Sequence, residues 1–244
     1  MGVEQHRLGN DLPVRPASQA RGHVMNQESH APSTAKAAAP IVIVVDDEPS
    51  VRQALSGLFR SVGLQVELFG SAAEFQQRKQ PDRASCLVLD IRLPGVNGLD
   101  FQGQLLRANI RTPIIFMTGH GDIPMSVRAM KAGAVDFLAK PFRDQDMLDA
   151  VAAAIQRDQQ ARQADDAASA LRVAYDLLTV REREVMVLVT SGLINKLVAA
   201  QLGLSEITVK VHRGQVMRKM GARSLADLVR MAESLGLHPM AQPS

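Results

Sequence analysis

The sequence predicts an α/β domain followed by a small all-α domain, and three observations support that prediction. Between residues 40 and 156, apolar runs of three to five residues alternate with segments of helical spacing, which is typical of a parallel sheet buried on both faces. Several of these runs stop at a specific polar residue. From residue 175 onward only helical spacing remains, in short segments separated by Gly or Ser. We therefore expect a doubly wound, five-stranded parallel sheet of order 2-1-3-4-5 and then a compact domain of four helices.

The first domain, expected at residues 40–156, is predicted as five successive strand–helix units. Its strands are expected at 41–45, 66–69, 86–89, 114–117 and 137–139. Its helices are expected at 49–62, at 71–77, from a Pro- and Gly-rich turn to about 108, at 122–133 and from about 144 onward. Ser71 is a predicted N-cap because its hydroxyl can accept a hydrogen bond from the helix. Alternating units of this length favour an open sheet with helices on both faces.

Outside the first domain, composition and apolar spacing predict an N-terminal extension, a linker and a second domain. Residues 1–39 mix Pro, Ala, Ser and Gln without apolar periodicity, so we expect a disordered N-terminal extension. Residues 157–174 are predicted to form a helical linker that lacks an apolar face. The second domain is expected at 175–238, with helices at 179–190, 195–202, 205–220 and 224–235. The first of these helices begins with a predicted capping box between Thr179 and Glu182.

Composition also excludes several classes of protein. The single cysteine, Cys86, cannot form an internal disulfide and is expected to be a small buried side chain. Aromatic residues make up 3% of the chain and Trp is absent, which argues against binding of single strands by base stacking. No apolar stretch approaches the roughly 18 residues that span a membrane, so we expect no membrane association and a cytoplasmic location. Residues 171–244 carry 10 basic and 6 acidic side chains, which favours nucleic acid as a partner.

The polar residues that end the apolar runs suit a site for a cation and a phosphoryl group. Asp46 and Asp47 follow the first strand and Asp90 follows the third, and in the expected order these strands flank the topological switch point. Three converging carboxylates repel one another unless a cation lies among them, and hard oxygen ligands suit Mg²⁺. A carboxylate can also attack phosphorus to form an aspartyl phosphate. Thr118 and Lys140, at the ends of the last two strands, can bind the oxygens of the transferred group.

Four motifs at these strand ends resemble the receiver domain of two-component response regulators. They are VDDEP at 45–49, DIRLPG at 90–95, MTGH at 117–120 and KPF at 140–142. The resemblance implies that Asp90 is the phosphoacceptor and lies with Asp46 and Asp47 in a Mg²⁺ site. It also implies that a sensor histidine kinase is the phosphoryl donor.

The same resemblance assigns roles to the other strand-end residues. It implies that Thr118 and Lys140 contact the phosphoryl group and that Phe137 is the switch aromatic. It implies a cis peptide bond between Lys140 and Pro141. Phosphorylation is then expected to produce a homodimer.

Residues 195–220 resemble a helix-turn-helix, whose second helix enters the major groove of DNA. On that second helix, the residues expected to pack inward are Val209, His212, Val216 and Met220. Those expected to project outward are Lys210, Val211, Gly214 and Arg218. Lys210 can donate to guanine and Val211 can contact a thymine methyl group. The residues expected to hold backbone phosphates are Arg213, Arg218 and Lys219. Gly214 either lets the helix approach the groove closely or simply lacks a side chain.

Three motifs of the second domain resemble a LuxR-type DNA-binding domain. They are LTVREREV at 178–185, TVKVHR at 208–213 and MRKM at 217–220. The joined architecture is similar to the NarL/FixJ subfamily of response regulators, and GHGDIPMSV at 119–127 favours the FixJ side. The resemblance implies a phosphorylation-activated transcription regulator that is not an enzyme. Its expected partners are promoter DNA, bound as a dimer, and RNA polymerase.

Two other functions are compatible with parts of the pattern. A phosphatase or phosphotransferase could turn over an aspartyl phosphate, but it needs a substrate-binding cap or a general base beside Asp90. The residue two positions after Asp90 is Arg92, which is a poor activator of water. A DNA-binding protein whose first domain only dimerises would not need the strand-end acids. A phosphate-transfer assay separates these alternatives.

Overall fold

The computed structural model describes residues 39–119 and 123–237. The predicted disordered extension at 1–39 lies outside the described residues, except for residue 39. The described strands are β1 (Ile41–Val45), β2 (Gln65–Phe69), β3 (Ser85–Asp90), β4 (Arg92–Leu93), β5 (Val96–Asn97), β6 (Ile114–Thr118) and β7 (Asp136–Ala139). The helices between and after them are α1 (Pro49–Ser61), α2 (Ala72–Gln76), α3 (Gly98–Arg107), α4 (Ile123–Lys131) and α5 (Asp144–Asp176). The C-terminal helices are α6 (Val180–Thr190), α7 (Asn195–Leu202), α8 (Glu206–Met220) and α9 (Leu225–Ser234).

Five of these strands form one parallel sheet of order β2-β1-β3-β6-β7. This is the predicted order 2-1-3-4-5, because β4 and β5 form a separate antiparallel hairpin. β1 and β3 pair so that Val45 lies opposite Leu89. The next residues, Asp46 and Asp90, are therefore delivered side by side to the carboxyl edge of the sheet. The predicted doubly wound fold is confirmed.

The sheet is buried on both faces, because successive side chains of a strand point to opposite sides. One face packs against α2, α3 and α4 in a cluster that includes Phe75 and Phe101. The other face packs against α1 and α5 in a cluster that includes Phe59 and Met147. Cys86 lies in the second cluster, where it is fully buried and burial raises the pKa of its thiol. Burial on both faces explains why the strands appear in the sequence as uninterrupted apolar runs.

The segment after β3 differs from the expected turn. Arg92 pairs with Asn97 and Leu93 with Val96, which makes the β4–β5 hairpin. Gly95 has a φ of 82°, which favours glycine at this turn. Strands of two residues are too short for alternation of apolar side chains to predict them.

Helix α5 is longer than the apolar pattern predicts. It continues without a break for 33 residues through the expected linker at 157–174. Asp158 is buried, and its Oδ2 accepts hydrogen bonds from the Ser85 amide at 2.8 Å and from Arg162 Nε at 2.8 Å. Arg162 also donates to the carbonyl of Pro81 at 3.2 Å. The first turns beyond residue 156 are therefore attached to the sheet by polar contacts.

The C-terminal helices begin at polar caps and surround their own core. The capping box between Thr179 and Glu182 is confirmed. Ser205 and Ser224 accept hydrogen bonds at the starts of α8 and α9. Two buried clusters fill the space between the helices, and the last turns of α5, including Tyr175, pack against one of them. None of the helices in residues 39–119 and 123–237 is long and apolar enough to cross a membrane.

Candidate functional site

Three carboxylates meet at the carboxyl edge of the sheet. Asp46 and Asp90 end up adjacent because β1 and β3 are neighbours, and Asp47 follows Asp46 directly. One ligand oxygen from each residue lies within 4.8 Å of the others. Asp46 and Asp90 are buried, whereas Asp47 is exposed. The sequence prediction thus names three acids that the fold does bring together.

Lys140 connects two of these acids from the end of β7. Its Nζ donates to Asp46 Oδ2 at 2.7 Å and to Asp90 Oδ2 at 2.8 Å. The other carboxylate oxygens accept from backbone amides, Asp46 Oδ1 from Glu48 at 2.8 Å and Asp90 Oδ1 from Arg92 at 3.0 Å. Each carboxylate oxygen has a second lone pair. Hydrogen bonding therefore orients both acids and still leaves acceptor capacity for a cation.

Burial and pairing compete in setting the charges of this site. Burial raises the pKa of Asp46, although the hydrogen bonds from Lys140 and the Glu48 amide act in the opposite direction. Burial alone would lower the pKa of Lys140, but its hydrogen bonds to Asp46 and Asp90 outweigh burial and raise it. Lys140 therefore stays a cation at neutral pH, which suits a group that binds phosphoryl oxygens.

The acidic cluster could hold a metal ion. Its donors are all carboxylate oxygens, which are hard ligands that suit Mg²⁺ or another hard divalent cation. The exposed Asp47 keeps one side of the cluster open to solvent, as is needed for a cation that retains water ligands. The residues present therefore fit a metal of this class.

Thr118 lies on β6, the neighbour of β3, and Phe137 lies on β7, the edge strand beyond β6. Thr118 is the last residue of β6 and is fully buried, and its carbonyl accepts from the Lys140 amide at 2.7 Å. Asp90 pairs with Met117, so that Thr118 is carried to the same edge of the sheet. Phe137 is half-buried and packs against the cluster that α4 also enters. The peptide between Lys140 and the next residue is cis, as the resemblance implies.

Two residues of this site carry no signal in the sequence. Arg52 of α1 donates through Nη1 to the carbonyl of Asp46 at 2.6 Å, which fixes the backbone that presents the acids. Gly98 starts α3 so close to the end of β3 that a Cβ would lie 2.9 Å from the backbone carbonyl oxygen of Asp90 and from the Ile91 Cα. A contact from a side chain distant in the sequence, or a close approach that only glycine allows, does not appear in a local sequence pattern.

Helix α8 presents one face to solvent and buries the other. Val209, Val216 and Met220 are buried in the two C-terminal clusters, as expected, and His212 is half-buried. The exposed residues of the opposite face are Ile207, Lys210, Val211, Gly214 and Arg218. A Cβ on Gly214 would meet nothing within 4 Å. The fold of the domain therefore gives no reason for glycine at that position.

The other two basic residues expected at phosphates lie away from this face. Arg213 is half-buried, and its Nη1 lies 3.4 Å from Asn195 Oδ1 of α7. Lys219 donates to Glu182 Oε2 at 2.6 Å and to the carbonyl of Leu177 at 3.3 Å. Glu182 is buried and also accepts from the Thr179 amide at 2.7 Å. The ammonium of Lys219 thus holds α8 to the start of α6, a role that the sequence prediction of a phosphate contact did not include.

The fold and the two sites together define a receiver-type α/β domain with an acidic sheet edge, joined by a helix to a helix-turn-helix domain. Residues 42–152 match the family model for the response regulator receiver domain. Residues 176–232 match the model for bacterial regulatory proteins of the luxR family. The chain therefore belongs to the response regulators of NarL/FixJ type, and it is a transcription regulator and not an enzyme.

Individual relatives agree with this assignment over most of their length. Nodulation protein W of Bradyrhizobium diazoefficiens is 60% identical over 211 residues, which cover 86% of this chain and 92% of the relative. Transcriptional regulatory protein FixJ of Azorhizobium caulinodans is 43% identical over 198 residues, with 81% and 94% covered. The solved structure of response regulator StyR has a TM-score of 0.73 and 48% identity, and the match covers 80% of this chain and 99% of that one.

Proposed function

We propose that Asp90 is the phosphoacceptor and that the phosphohistidine of a sensor kinase is its donor. A carboxylate oxygen of Asp90 attacks phosphorus, the N–P bond breaks, and the histidine nitrogen keeps that electron pair and is protonated. One observation carries the proposal: Asp90 lies against the Lys140 ammonium, within the acidic cluster, at the edge of the sheet. Lys140 and the Thr118 hydroxyl are proposed to bind the oxygens of the transferred group.

Mg²⁺ is the proposed cation of the acidic cluster, held by Asp46, Asp47 and Asp90. Its charge would offset the repulsion between these carboxylates and the incoming phosphoryl oxygens. Lys140 supplies the second positive charge and keeps Asp46 and Asp90 in position through its two hydrogen bonds.

Phosphorylation is proposed to alter Thr118 and Phe137 and to turn the surface of α4 into a homodimer face. The exposed apolar residues of α4 are Ile123, Val127 and Met130, which fall at the spacing of one helical stripe. A shift from mostly inactive to mostly active requires roughly 5 kcal/mol of differential binding, to which the added charge on Asp90 contributes. Sedimentation with and without a beryllium fluoride mimic measures the change, and an equal association constant counts against it.

The DNA-binding part of the proposal rests on the exposed face of α8. Lys210 and Val211 are proposed to contact bases in the major groove. Arg218 on this face, and Arg213 beside Asn195 of α7, are proposed to contact phosphates. Because Lys219 is paired with Glu182, we propose that it maintains the position of α8 and does not bind phosphate.

These roles define the partners of the proposed regulator. They are a sensor histidine kinase, double-stranded promoter DNA, a second copy of the chain and RNA polymerase. Because the proposed regulator must reach promoter DNA and RNA polymerase, we propose a cytoplasmic location. DNA binding can either activate or repress transcription, depending on where the operator lies relative to the promoter.

Phosphorylation by a small acyl phosphate tests the central step. The parent chain should gain the mass of one phosphate only when Mg²⁺ is present, and chelation should prevent the gain. Asp90→Asn and Asp47→Ala should remain unlabelled, whereas Asp100→Asn, which changes an exposed acid on α3, should react like the parent. Labelling that persists in Asp90→Asn would show that another residue accepts the phosphoryl group.

A further inference from the structure

Ile207 is the most exposed large apolar residue of the C-terminal helices. Its relative exposure is 78%, and that of Val211, one helical turn later, is 57%. No sequence pattern singles out Ile207, because a single isoleucine in an amphipathic segment usually packs inward. In the fold it does the opposite. Two apolar side chains thus form an exposed stripe on the helix that the proposed function places in the major groove.

The register of α8 fixes the direction of this stripe. At about 100° per residue, Ile207 lies nearly opposite the buried Val209 and Val216. Gly214, one turn beyond Val211, continues the stripe without a side chain. Ile207 therefore lies at the middle of the exposed face and not at its edge.

The start of α8 is also fixed by its cap. Ser205 accepts from the Thr208 amide at 3.1 Å, and the hydroxyls of these two residues lie 2.8 Å apart. Ile207 is consequently held in the first turn, the part of a recognition helix that contacts base edges. Val209 is buried and the Thr208 hydroxyl already has a partner, so that Ile207 is the apolar residue of this turn that is free to approach the groove.

We propose that Ile207 is a specificity-determining residue that contacts the 5-methyl group of a thymine, next to the thymine contact of Val211. The inference rests on the proposed function of α8 and extends it. The major groove displays one apolar group among its base edges, the thymine methyl, and Lys210 beside the stripe favours DNA over an apolar protein surface. Ile207 and Val211 are separated by about 6 Å along the helix. That distance corresponds to about two base steps of 3.4 Å, so the half-site should carry two thymines within that span.

Replacement of thymine by deoxyuridine tests the contact, because it removes only the methyl group. The full chain, activated with beryllium fluoride, first selects its site from a random duplex pool. Each thymine of the selected site is then replaced in turn, and affinities are measured for the parent, Ile207→Ser and Lys210→Ala. Loss of one methyl contact removes burial of about 0.8 kcal/mol, which is a fall of about fourfold in affinity. We expect such a fall at two thymines in the parent and at only one of them in Ile207→Ser.

Two controls keep this result interpretable. Val180→Ser removes a similarly exposed apolar side chain from α6 and should leave both uracil effects intact, whereas Lys210→Ala, which removes a proposed base contact, should alter base preference. If Ile207→Ser retains both effects while Lys210→Ala alters base preference, the role of Ile207 is refuted and the proposed function stands. If the parent selects no sequence at all, the DNA-binding function of α8 fails, and the role of Ile207 fails with it.

Discussion

Replacement of Lys219 by methionine tests whether this lysine stabilises the fold or binds DNA. Methionine keeps much of the length and apolar surface of lysine but removes the ammonium. Glu182, which is 5% exposed, then loses its charged partner and keeps the hydrogen bonds of the Thr179 cap. Loss of one member of a buried pair costs about 3–5 kcal/mol. Because the Lys219 side chain is 30% exposed, we expect a smaller loss of unfolding free energy, about 1–3 kcal/mol.

Two measurements on the full chain test this expectation. Tyr175 is the single tyrosine and the chain has no tryptophan, so its fluorescence reports urea unfolding of the cluster in which it packs. The salt dependence of DNA affinity reports phosphate contacts, each of which adds about one unit to the slope. We expect Lys219→Met to lower stability while the salt slope keeps its parent value.

Arg218→Met is the matched control, because Arg218 is exposed on the same helix. It should flatten the salt slope by about one unit and change the unfolding free energy by less than about 0.5 kcal/mol. If Lys219→Met instead flattens the slope by one unit and leaves the urea midpoint unchanged, our reading of the Lys219–Glu182 pair is wrong.

Substitutions of Gly214, Gly98 and Glu182 test three other parts of the structure. Gly214→Ala should stabilise the C-terminal domain by about 0.5–1 kcal/mol in urea unfolding, since a Cβ there meets nothing within 4 Å; destabilisation would contradict this. Gly98→Ala should lower stability by about 1–3 kcal/mol and slow labelling by an acyl phosphate, because the new Cβ lies 2.9 Å from Asp90 and Ile91; parent-like labelling would be the contrary result. Burial tends to raise the pKa of Glu182, but hydrogen bonds from Lys219 and Thr179 outweigh it and lower the pKa below 4.5. The parent should therefore have a higher unfolding free energy than Glu182→Gln above pH 4.5, and this difference should shrink as pH falls below that value. A constant difference between pH 7 and 3 would exclude this linkage.

Much of the receiver domain could be predicted because the patterns that define its strands lie within short segments of the sequence. Strands buried on both faces need continuous apolar side chains, and each run stops where the chain reaches the polar edge of the sheet. The acids Asp46 and Asp90 were therefore identified by the ends of two runs. Their adjacency follows from the order of the strands, which the βα alternation limits to few arrangements.

The contacts that could not be predicted join residues far apart in the chain. The bond from Arg52 to the Asp46 carbonyl depends on where α1 lies over the sheet. Lys219 and Glu182 are 37 positions apart, so that a count of basic residues on α8 cannot distinguish a paired lysine from a free one. Exposure of Ile207 is likewise decided by the packing of the whole domain.

The expected linker shows how such distant contacts create secondary structure that composition leaves undecided. Residues 163–170 of α5 are exposed along their length, and an isolated helix shorter than about 12–15 residues is marginal in water. This segment nevertheless belongs to a helix that is attached on both sides of it, at Asp158 to the first residue of β3 and at Tyr175 to the C-terminal core. Since β3 carries Asp90 at its other end, one strand joins the proposed phosphoacceptor to the anchor of the linker. The helical state of 163–170 thus depends on both domains, and loss of either anchor leaves the segment attached on one side alone.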